Sequence, residues 1–213
     1  MKNVIKVLFV VAALLLLAKP AEAQESSDFK FTVKTNPLTA MGGPFWVVIV
    51  PITGEYKVQF EVATTQKQSL QVGLSYIGPS LLLNLDEITS EGGSVSGINT
   101  AGFRVTGMYK FYVSRDLSAP EGFYLSPYFS YASAKIESKD DPSDYVQGKK
   151  MNFAGVFGYQ MITSGGFTLD LFLGLGIVDR NWDYSGTAGD DFDLGASKTS
   201  ATVPFGFSFG FAF

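Results

Sequence analysis

The chain contains no cysteine and no histidine among its 213 residues. Without cysteine it has no disulfide bonds and no thiolate metal site. Without histidine it lacks the commonest general base and the commonest protein ligand for metal ions. We therefore expect no catalytic residues, no enzyme activity of the histidine-dependent kind, no cofactor and no metal centre.

Charged residues are also scarce, because they make up 17% of the chain against about 25% in an average soluble domain. Aromatic residues are abundant instead, at 15%, with 19 phenylalanines and 10 tyrosines. The length suits one domain of ordinary size. The sequence therefore predicts a single domain that is rich in aromatic residues and poor in charged residues.

The first 23 residues are predicted to be a secretory signal peptide. A basic start precedes the twelve-residue apolar run VLFVVAALLLLA at 7–18, Pro20 ends that run, and AEA at 21–23 provides small residues for cleavage after Ala23. An uncleaved anchor is the less favoured alternative, because a spanning helix needs about 20 apolar residues. The predicted domains are the signal peptide, 1–23, and a barrel domain, 24–213.

The predicted mature chain has 13 basic and 19 acidic residues, since Lys2, Lys6, Lys19 and Glu22 leave with the signal peptide. The resulting net charge of −6 argues against nucleic acid as a partner. No apolar run of 18 or more residues follows residue 23. If the mature chain lies in a membrane, it must therefore cross it with strands.

Apolar residues alternate with polar or small residues through most of the mature chain. In GFRVTGMYKFYVS, residues 102–114, Phe103 and Val105 share one face, whereas Arg104 and Lys110 share the other. This period of two is typical of a β-strand. The same alternation predicts eight strands, at 29–36, 56–63, 69–76, 102–114, 123–134, 151–161, 167–178 and 203–213.

The links between these segments alternate between long and short, which is the rhythm of an up-and-down barrel with loops at one end and turns at the other. The short links TTQKQ, 64–68, and TSGG, 163–166, suit hairpin turns. The segment 40–51 is too apolar for an ordinary loop, and we expect it to extend the first two strands around a bend at Gly42-Gly43-Pro44. The predicted fold is all-β, an eight-stranded antiparallel up-and-down transmembrane β-barrel.

Alternation alone leaves the surrounding solvent open, since a soluble lipocalin-like ligand-binding cup also has eight strands. The polar faces here carry mostly Gly, Ser, Thr, Asn, Gln and Tyr, and several strands have 11 or more residues. A tilted membrane strand needs about 9 to 11 residues. Both features favour a barrel with its apolar faces outward in lipid over a periplasmic cup with an apolar core.

Charged residues on the predicted inward faces must be paired at such depth. The expected network has Glu61 and Asp170 as its acids, and its full membership is Lys30, Lys34, Lys57, Glu61, Arg104, Lys110 and Asp170. We expect this network to plug and rigidify the barrel. A narrow channel or a binding barrel for small, hydrophobic molecules is the alternative, with lumen space left by Gly73, Gly158, Gly174, Gly176, Gly206 and Gly210.

Acidic residues cluster in two segments that the alternation leaves as loops, SKDDPSD at 138–144 and DRNWDYSGTAGDDFD at 179–193. Carboxylate clusters can bind calcium, but the spacing of an EF-hand loop is absent. A solvated loop face is the favoured interpretation.

The last strand ends in alternating aromatic residues and a terminal phenylalanine. FGFSFGFAF resembles the C-terminal signal of outer-membrane β-barrels of Gram-negative bacteria, and the matching residues are Phe205, Phe207, Phe209, Phe211 and Phe213. Pro204 is expected near the start of this strand. KTNPL (34–38), GEYKVQFE (54–61), SLQVGLSYIGPS (69–80), GFYLSPYFSY (122–131) and GYQ (158–160) are similar to a family of small Bacteroidetes-type barrels of unassigned function.

The resemblance implies an integral protein of the cell outer membrane that is handled by the barrel-assembly machinery during biogenesis. Its expected partners are outer-membrane lipid and lipopolysaccharide, and it is expected to be a monomer. The predicted function is a structural or surface-interaction role without catalysis.

Overall fold

The alternating segments form strands that close into an eight-stranded antiparallel barrel in a computed structural model of the chain. The structure describes residues 29–41, 53–81, 98–139, 141–185 and 198–213. The predicted signal peptide and most of the apolar segment 40–51 lie outside these residues. The strands are β1 (Phe31–Thr35), β2 (Thr53–Thr65), β3 (Gln68–Pro79), β4 (Ile98–Tyr112), β5 (Gly122–Ser138), β6 (Tyr145–Ile162), β7 (Phe167–Ser185), β8 (Lys198–Thr202) and β9 (Phe205–Ala212).

Strands β8 and β9 act as one strand of the barrel. Both pair with β7 in one continuous register, in which Thr202 lies opposite Gly176 and Phe205 lies opposite Leu173. Pro204 separates them because it has no N–H to donate, although its carbonyl still accepts from Gly174 N at 2.8 Å. The expectation that Pro204 lies near the start of the last strand is confirmed for β9, which begins at Phe205, and pairing with β7 resumes before Pro204 through β8.

The barrel closes where β1 pairs with β9. Thr32 lies opposite Ala212 and Thr35 lies opposite Phe209. Beyond the strand ends, the Phe213 carbonyl accepts from Lys30 N at 3.0 Å and from Phe31 N at 3.2 Å. The predicted closure of the last strand against residues 29–36 is confirmed, and the seam leaves no open sheet edge.

The stagger of the strands sets the width of the barrel. A row of directly paired residues starts at Lys34 on β1 and passes from strand to strand to Ser200 on β8. Across the seam, however, Lys34 is paired with Gly210, which lies ten residues after Ser200 in the chain. With ordinary strand spacings, this offset implies a strand tilt of about 40° and a backbone radius of about 8 Å. Such an interior is just wide enough to be filled by side chains.

The two faces of the barrel wall differ in chemistry. The outer face exposes large apolar side chains around the wall, among them Leu74, Phe103, Phe123, Phe157 and Leu175. The inner face buries polar and charged side chains, among them Lys34, Glu61, Lys110, Gln160 and Asp170. This is the inverse of a soluble sheet, which packs its apolar face inward. Among the described residues, no helix is long and apolar enough to cross a membrane.

The short links and both strand termini of the seam lie at one end of the barrel. Residues 66–67 join β2 to β3, residues 113–121 join β4 to β5, and residues 163–166 join β6 to β7. The Lys67 ammonium holds the link between β4 and β5 in place, because its Nζ donates to the carbonyls of Ser114 and Leu117, each at 2.7 Å. The opposite end, which we call the long-link end, carries the links that follow β1, β3, β5 and β7, and there a 3₁₀-helix, Pro37–Met41, follows β1.

Glycines on the inner face allow close approach and do not leave lumen space. A Cβ on Gly210 would collide with the Val33 carbonyl oxygen across the seam, and one on Gly206 would collide with the Phe172 ring. Gly73, Gly158, Gly174 and Gly176 likewise have neighbouring atoms where a Cβ would stand. These six glycines therefore do not provide the lumen space that the channel interpretation expected of them.

We predict that Gly210→Ala weakens the closed barrel more than the same change elsewhere. The clash is with backbone on the facing strand, which cannot rotate away, so the expected loss of unfolding free energy is about 1–3 kcal/mol. Gly206→Ala should cost less because the Phe172 ring can move. Gly155→Ala is the matched control, since no atom lies within 4 Å of the added methyl group. Urea unfolding followed by circular dichroism measures all three; equal losses would contradict the prediction.

Candidate functional site

Four fully buried charged side chains meet inside the barrel and form what we call the central cluster: Lys34, Glu61, Lys110 and Asp170. Lys34 Nζ lies 2.6 Å from Glu61 Oε2 and 2.7 Å from Asp170 Oδ2. Lys110 Nζ lies 3.1 Å and 2.8 Å from the same two oxygens. Each ammonium thus bridges both carboxylates, and the central cluster has two positive and two negative charges.

The second oxygen of each carboxylate is also satisfied. Tyr112 donates its hydroxyl to Glu61 Oε1 at 2.7 Å, and Ser69 donates to the same atom. Tyr124 donates to Asp170 Oδ1 at 2.7 Å. A buried ion pair is tolerable when its remaining lone pairs find donors, and these hydroxyls supply them.

Two glutamines complete the shell around the ammonium groups. Gln160 Oε1 accepts from Lys34 Nζ at 2.7 Å and from Lys110 Nζ at 2.8 Å. Gln71 Oε1 accepts from Lys34 Nζ at 2.7 Å. Lys110 Nζ also lies 4.4 Å from the centre of the Tyr124 ring, within the range of a cation–π contact. The two lysines are therefore enclosed by oxygen atoms and one aromatic face.

Apolar and aromatic side chains pack next to the central cluster inside the barrel. Met108, Tyr112, Tyr124 and Val156 are buried against each other, with the Phe172 ring packed on them. The rings of Tyr112 and Tyr124 lie 5.6 Å apart between their centres. The lumen is thus occupied by ion pairs and by the apolar and aromatic side chains that pack around them.

A second ion group, separate from the central cluster, lies nearer the long-link end. Glu55 Oε2 accepts from Arg104 Nη1 at 2.9 Å, and Glu55 Oε1 lies 3.4 Å from Lys57 Nζ. Ser75 also donates to Glu55 Oε1 at 2.7 Å. Among the residues that the structure describes, the Glu55 carboxylate thus interacts with two cations, Lys57 and Arg104.

Further cations continue from this group along one hydrogen-bonded row of the inner wall. Lys57 pairs with Ser75, Ser75 with Arg104, Arg104 with Ala132, Ala132 with Lys150, and Lys150 with Arg180. We call Lys57, Arg104, Lys150 and Arg180 the cation row. Because the strands are tilted, the row rises toward the long-link end by about 3 Å per strand.

The predicted charge network is thus divided into parts. Lys34, Glu61, Lys110 and Asp170 come together in the central cluster, and Lys57 and Arg104 lie in the second group. Lys30 joins neither, because it precedes β1 at the barrel rim and is exposed. The prediction that Lys30 belongs to the network was therefore wrong. Alternation shows which face a residue is on, but it does not show that the strand extends far enough for that residue to be buried.

Sequence reasoning missed Glu55, Lys150 and Arg180, and the reason is the same for each. The predicted strands began at residues 56 and 151 and ended at 178, whereas the observed strands include residues 53–65, 145–162 and 167–185. Alternation extended by one or two residues would have placed all three on the inner face. The polar composition beyond the apolar stretch was mistaken for a loop.

The acidic segments are only partly within the described residues. Asp179 and Asp183 lie in β7 and not in a loop, which corrects that expectation. Asp141 lies in the link between β5 and β6, where hydrogen bonds from the Ser143 hydroxyl and amide hold the pKa of its carboxyl below the ordinary value. Asp140, Asp190, Asp191 and Asp193 lie outside the described residues. Within the described part of the chain, no three acidic residues are placed to hold a metal ion.

Comparison with known proteins gives no relative: no family model, no curated protein and no solved structure matches the chain. The resemblance to small Bacteroidetes-type barrels therefore stays a prediction. The barrel wall and the two charge groups inside it are the features of the chain that bear on its function.

Proposed function

We propose that the protein is an integral barrel of the outer membrane of a Gram-negative bacterium, exported through cleavage after Ala23, with a structural or surface-interaction role. The observation that carries the proposal is the distribution of side chains across the wall. Fully buried charges fill the interior, whereas the outer face exposes Phe205 to 82%, Leu175 to 73% and Phe123 to 59%. In water, such a continuous apolar surface would promote aggregation. In lipid, it is the outer surface that a membrane barrel needs.

The chemistry of the interior supports the membrane barrel over a soluble ligand cup. A cup for apolar ligands needs an apolar cavity with a few polar groups, and this lumen is instead crossed by the central cluster. The closed seam supports the same choice, because backbone groups in lipid must be paired within the protein. Export, assembly by the barrel machinery and contact with lipopolysaccharide are parts of this proposal.

The central cluster lies across the lumen and supports the proposal that the lumen is closed. An ion crossing the barrel would have to separate ammonium and carboxylate groups that are already paired at hydrogen-bond distance, and pass the packed side chains of Met108, Tyr112, Tyr124 and Val156. We therefore propose that the charges stabilise the barrel and do not conduct. No catalytic role is proposed for any side chain.

Two measurements test the location. We expect the protein in the outer-membrane fraction of cells, and we expect it to migrate faster on gels before heating than after, because a closed barrel resists unfolding by detergent. A periplasmic protein whose migration does not change with heating would contradict the proposal and favour the soluble cup.

The closed lumen is a separate prediction. Purified barrel in a planar lipid bilayer is expected to show no stable open conductance in potassium chloride. A porin of known conductance, inserted in the same membrane, is the control for the recording. A steady single-channel current from the wild-type protein would contradict the plugged lumen without bearing on membrane location.

A further inference from the structure

A groove of about 800 Å³ lies on the outer wall of the barrel, across β5, β6 and β7. Its floor is formed by Pro127 and Gly155, which are cross-strand partners on β5 and β6. Leu125, Phe157 and Leu173 form one cross-strand row beside the floor, on the side toward the short links. The groove is therefore a depression in a wall that otherwise exposes large apolar side chains.

The floor consists of two residue types that weaken a strand. Pro127 has no N–H to donate, and the pairing of β4 with β5 is interrupted beside it. Gly155 is exposed, and a Cβ built on it would meet no atom within 4 Å. Proline is rare inside a sheet, and a glycine in a strand often marks the close approach of a ligand. A larger outward side chain would fill the depression, so this pair of residues keeps the groove open.

The lining of the groove is apolar apart from Ser126, whose hydroxyl donates to the Pro127 carbonyl at 2.7 Å. Within this lining, all of it in the described part of the chain, no residue carries a charge. An occupant would thus meet neither an ion nor a free hydroxyl group, and a polar occupant would lose its hydrogen bonds there. The chemistry of the groove suits a hydrocarbon.

The size of the groove suits one small occupant and not a second barrel. Twelve residues line it, whereas a stable protein interface takes about 20–30 residues from each partner. Its volume of about 800 Å³ is within the range of small-molecule sites, about 300–1,000 Å³. The groove is also continuous with the exposed apolar wall, where Leu175 is 73% and Val203 is 57% exposed. Membrane lipid that contacts the wall therefore reaches the groove directly.

The outward residues of the lining lie at the level of the floor or on its side toward the short links. In an outer-membrane barrel the short turns face the periplasm, so the groove extends into the periplasmic leaflet, which consists of phospholipid. We propose that the groove holds one acyl chain of a phospholipid, packed on Pro127 and Gly155. This site rests on the proposed membrane location and adds to it one retained lipid at one place on the wall.

The decisive comparison uses two glycines of the outer wall that have open space beside them. Gly155 forms the floor of the groove, whereas Gly107 on β4 lies outside the lining, and a Cβ on either meets no atom within 4 Å. The barrel is folded into phosphatidylethanolamine-containing vesicles, extracted into mild detergent and weighed intact by native mass spectrometry. We expect one phospholipid on the wild type and on Gly107→Leu. Gly155→Leu should weaken its retention by about tenfold, because the leucine takes the place of the acyl chain.

A second pair of variants removes one side of the groove instead of filling it. Leu175 is the partner of Gly155 on β7 and lines the groove, whereas Ile177, the next outward residue of β7, lies outside the lining. Both side chains are exposed, so neither substitution leaves a buried cavity. Leu175→Ala should lower lipid retention, and Ile177→Ala should leave it unchanged.

A photoreactive phospholipid locates the chain on the wall. Its diazirine, placed in the middle of one acyl chain, is activated in the vesicle, and the labelled peptides are identified by mass spectrometry. We expect labelling of the wild type to be concentrated on the groove and to fall in Gly155→Leu. Labelling spread evenly over the outer wall would overturn the site, since it would show ordinary surrounding lipid.

Two other results would also overturn the proposal. Equal losses of lipid within either pair of variants would show that the groove is not the place of retention. A dimer mass that disappears in Gly155→Leu would put a second copy of the chain in the groove. Heat-dependent migration of the same samples on gels shows whether the barrel has inserted, so failure of the lipid site is distinguishable from failure of the proposed membrane location.

Discussion

Glu61→Gln is expected to lower the free energy of unfolding by about 3–5 kcal/mol, the usual effect of removing one partner from a buried ion pair. The glutamine keeps the size of the side chain but leaves Lys34 and Lys110 with Asp170 as the sole carboxylate of the central cluster. Both ammonium groups are fully buried, so water cannot screen the surplus charge. Urea unfolding of the barrel in lipid vesicles, followed by circular dichroism, measures the loss.

The matched control for this change is Glu137→Gln, the same substitution at an exposed ion pair. Glu137 Oε2 lies 2.7 Å from Lys135 Nζ, with both side chains accessible to solvent. Exposed pairs of this kind contribute little to stability, so this variant should unfold nearly as the wild type does. Equal losses in the two variants would contradict the role assigned to the central cluster.

A double variant tests the charge balance directly. Glu61→Gln combined with Lys110→Met leaves one lysine, Lys34, and one carboxylate, Asp170, which lie 2.7 Å apart. Because the surplus charge is removed, the double variant should be more stable than the single variant Glu61→Gln. A further loss on adding Lys110→Met would show that packing and not charge dominates.

Leu173→Lys is expected to cost about 2–4 kcal/mol of unfolding free energy in lipid vesicles, as a lysine does near the midplane of a membrane barrel. Leu173 lies in the middle of the outward run of β7, between Phe157 on β6 and Phe205 on β9. Its side chain is 44% exposed. If the outer wall faced water, the same lysine would be nearly neutral.

Leu38→Lys is the control for the membrane interpretation. Leu38 is 61% exposed, in the 3₁₀-helix after β1 and beyond the end of the strand. A lysine there should change the free energy of unfolding by less than about 0.5 kcal/mol. If Leu173→Lys is as mild as Leu38→Lys, the proposed lipid-facing wall is contradicted.

Much of the fold could be predicted because alternation is a local property of the sequence. Eight alternating segments predicted eight strands, and the pairing of the first with the last is observed. Strand ends toward the long links could not be placed, since polar residues such as Lys150 and Arg180 look the same in a loop and on an inner wall. Strand length there is determined by pairing with the neighbouring strand, which a local pattern does not contain.

The site could be predicted only in part, for a related reason. Alternation correctly placed Lys34, Glu61, Lys110 and Asp170 on inner faces. Which cation meets which carboxylate depends on the stagger between strands, and that offset is a property of the closed barrel. The division into the central cluster and the separate cation row therefore could not be obtained from the sequence alone.

The position of Lys34 on β1 has a consequence for the order of folding. Its contacts with Glu61 and Gln71 span 27 and 37 residues, whereas those with Gln160 and Asp170 span 126 and 136. Contacts so distant along the chain form slowly, because loop closure precedes them. Asp170 meets Lys34 only when β1 reaches β9, so completion of the sheet and neutralisation of the interior are one kinetic event. A chain that stalls before this step keeps an unpaired sheet edge and hydrated charges, whereas in the closed barrel that edge is paired and those charges are buried.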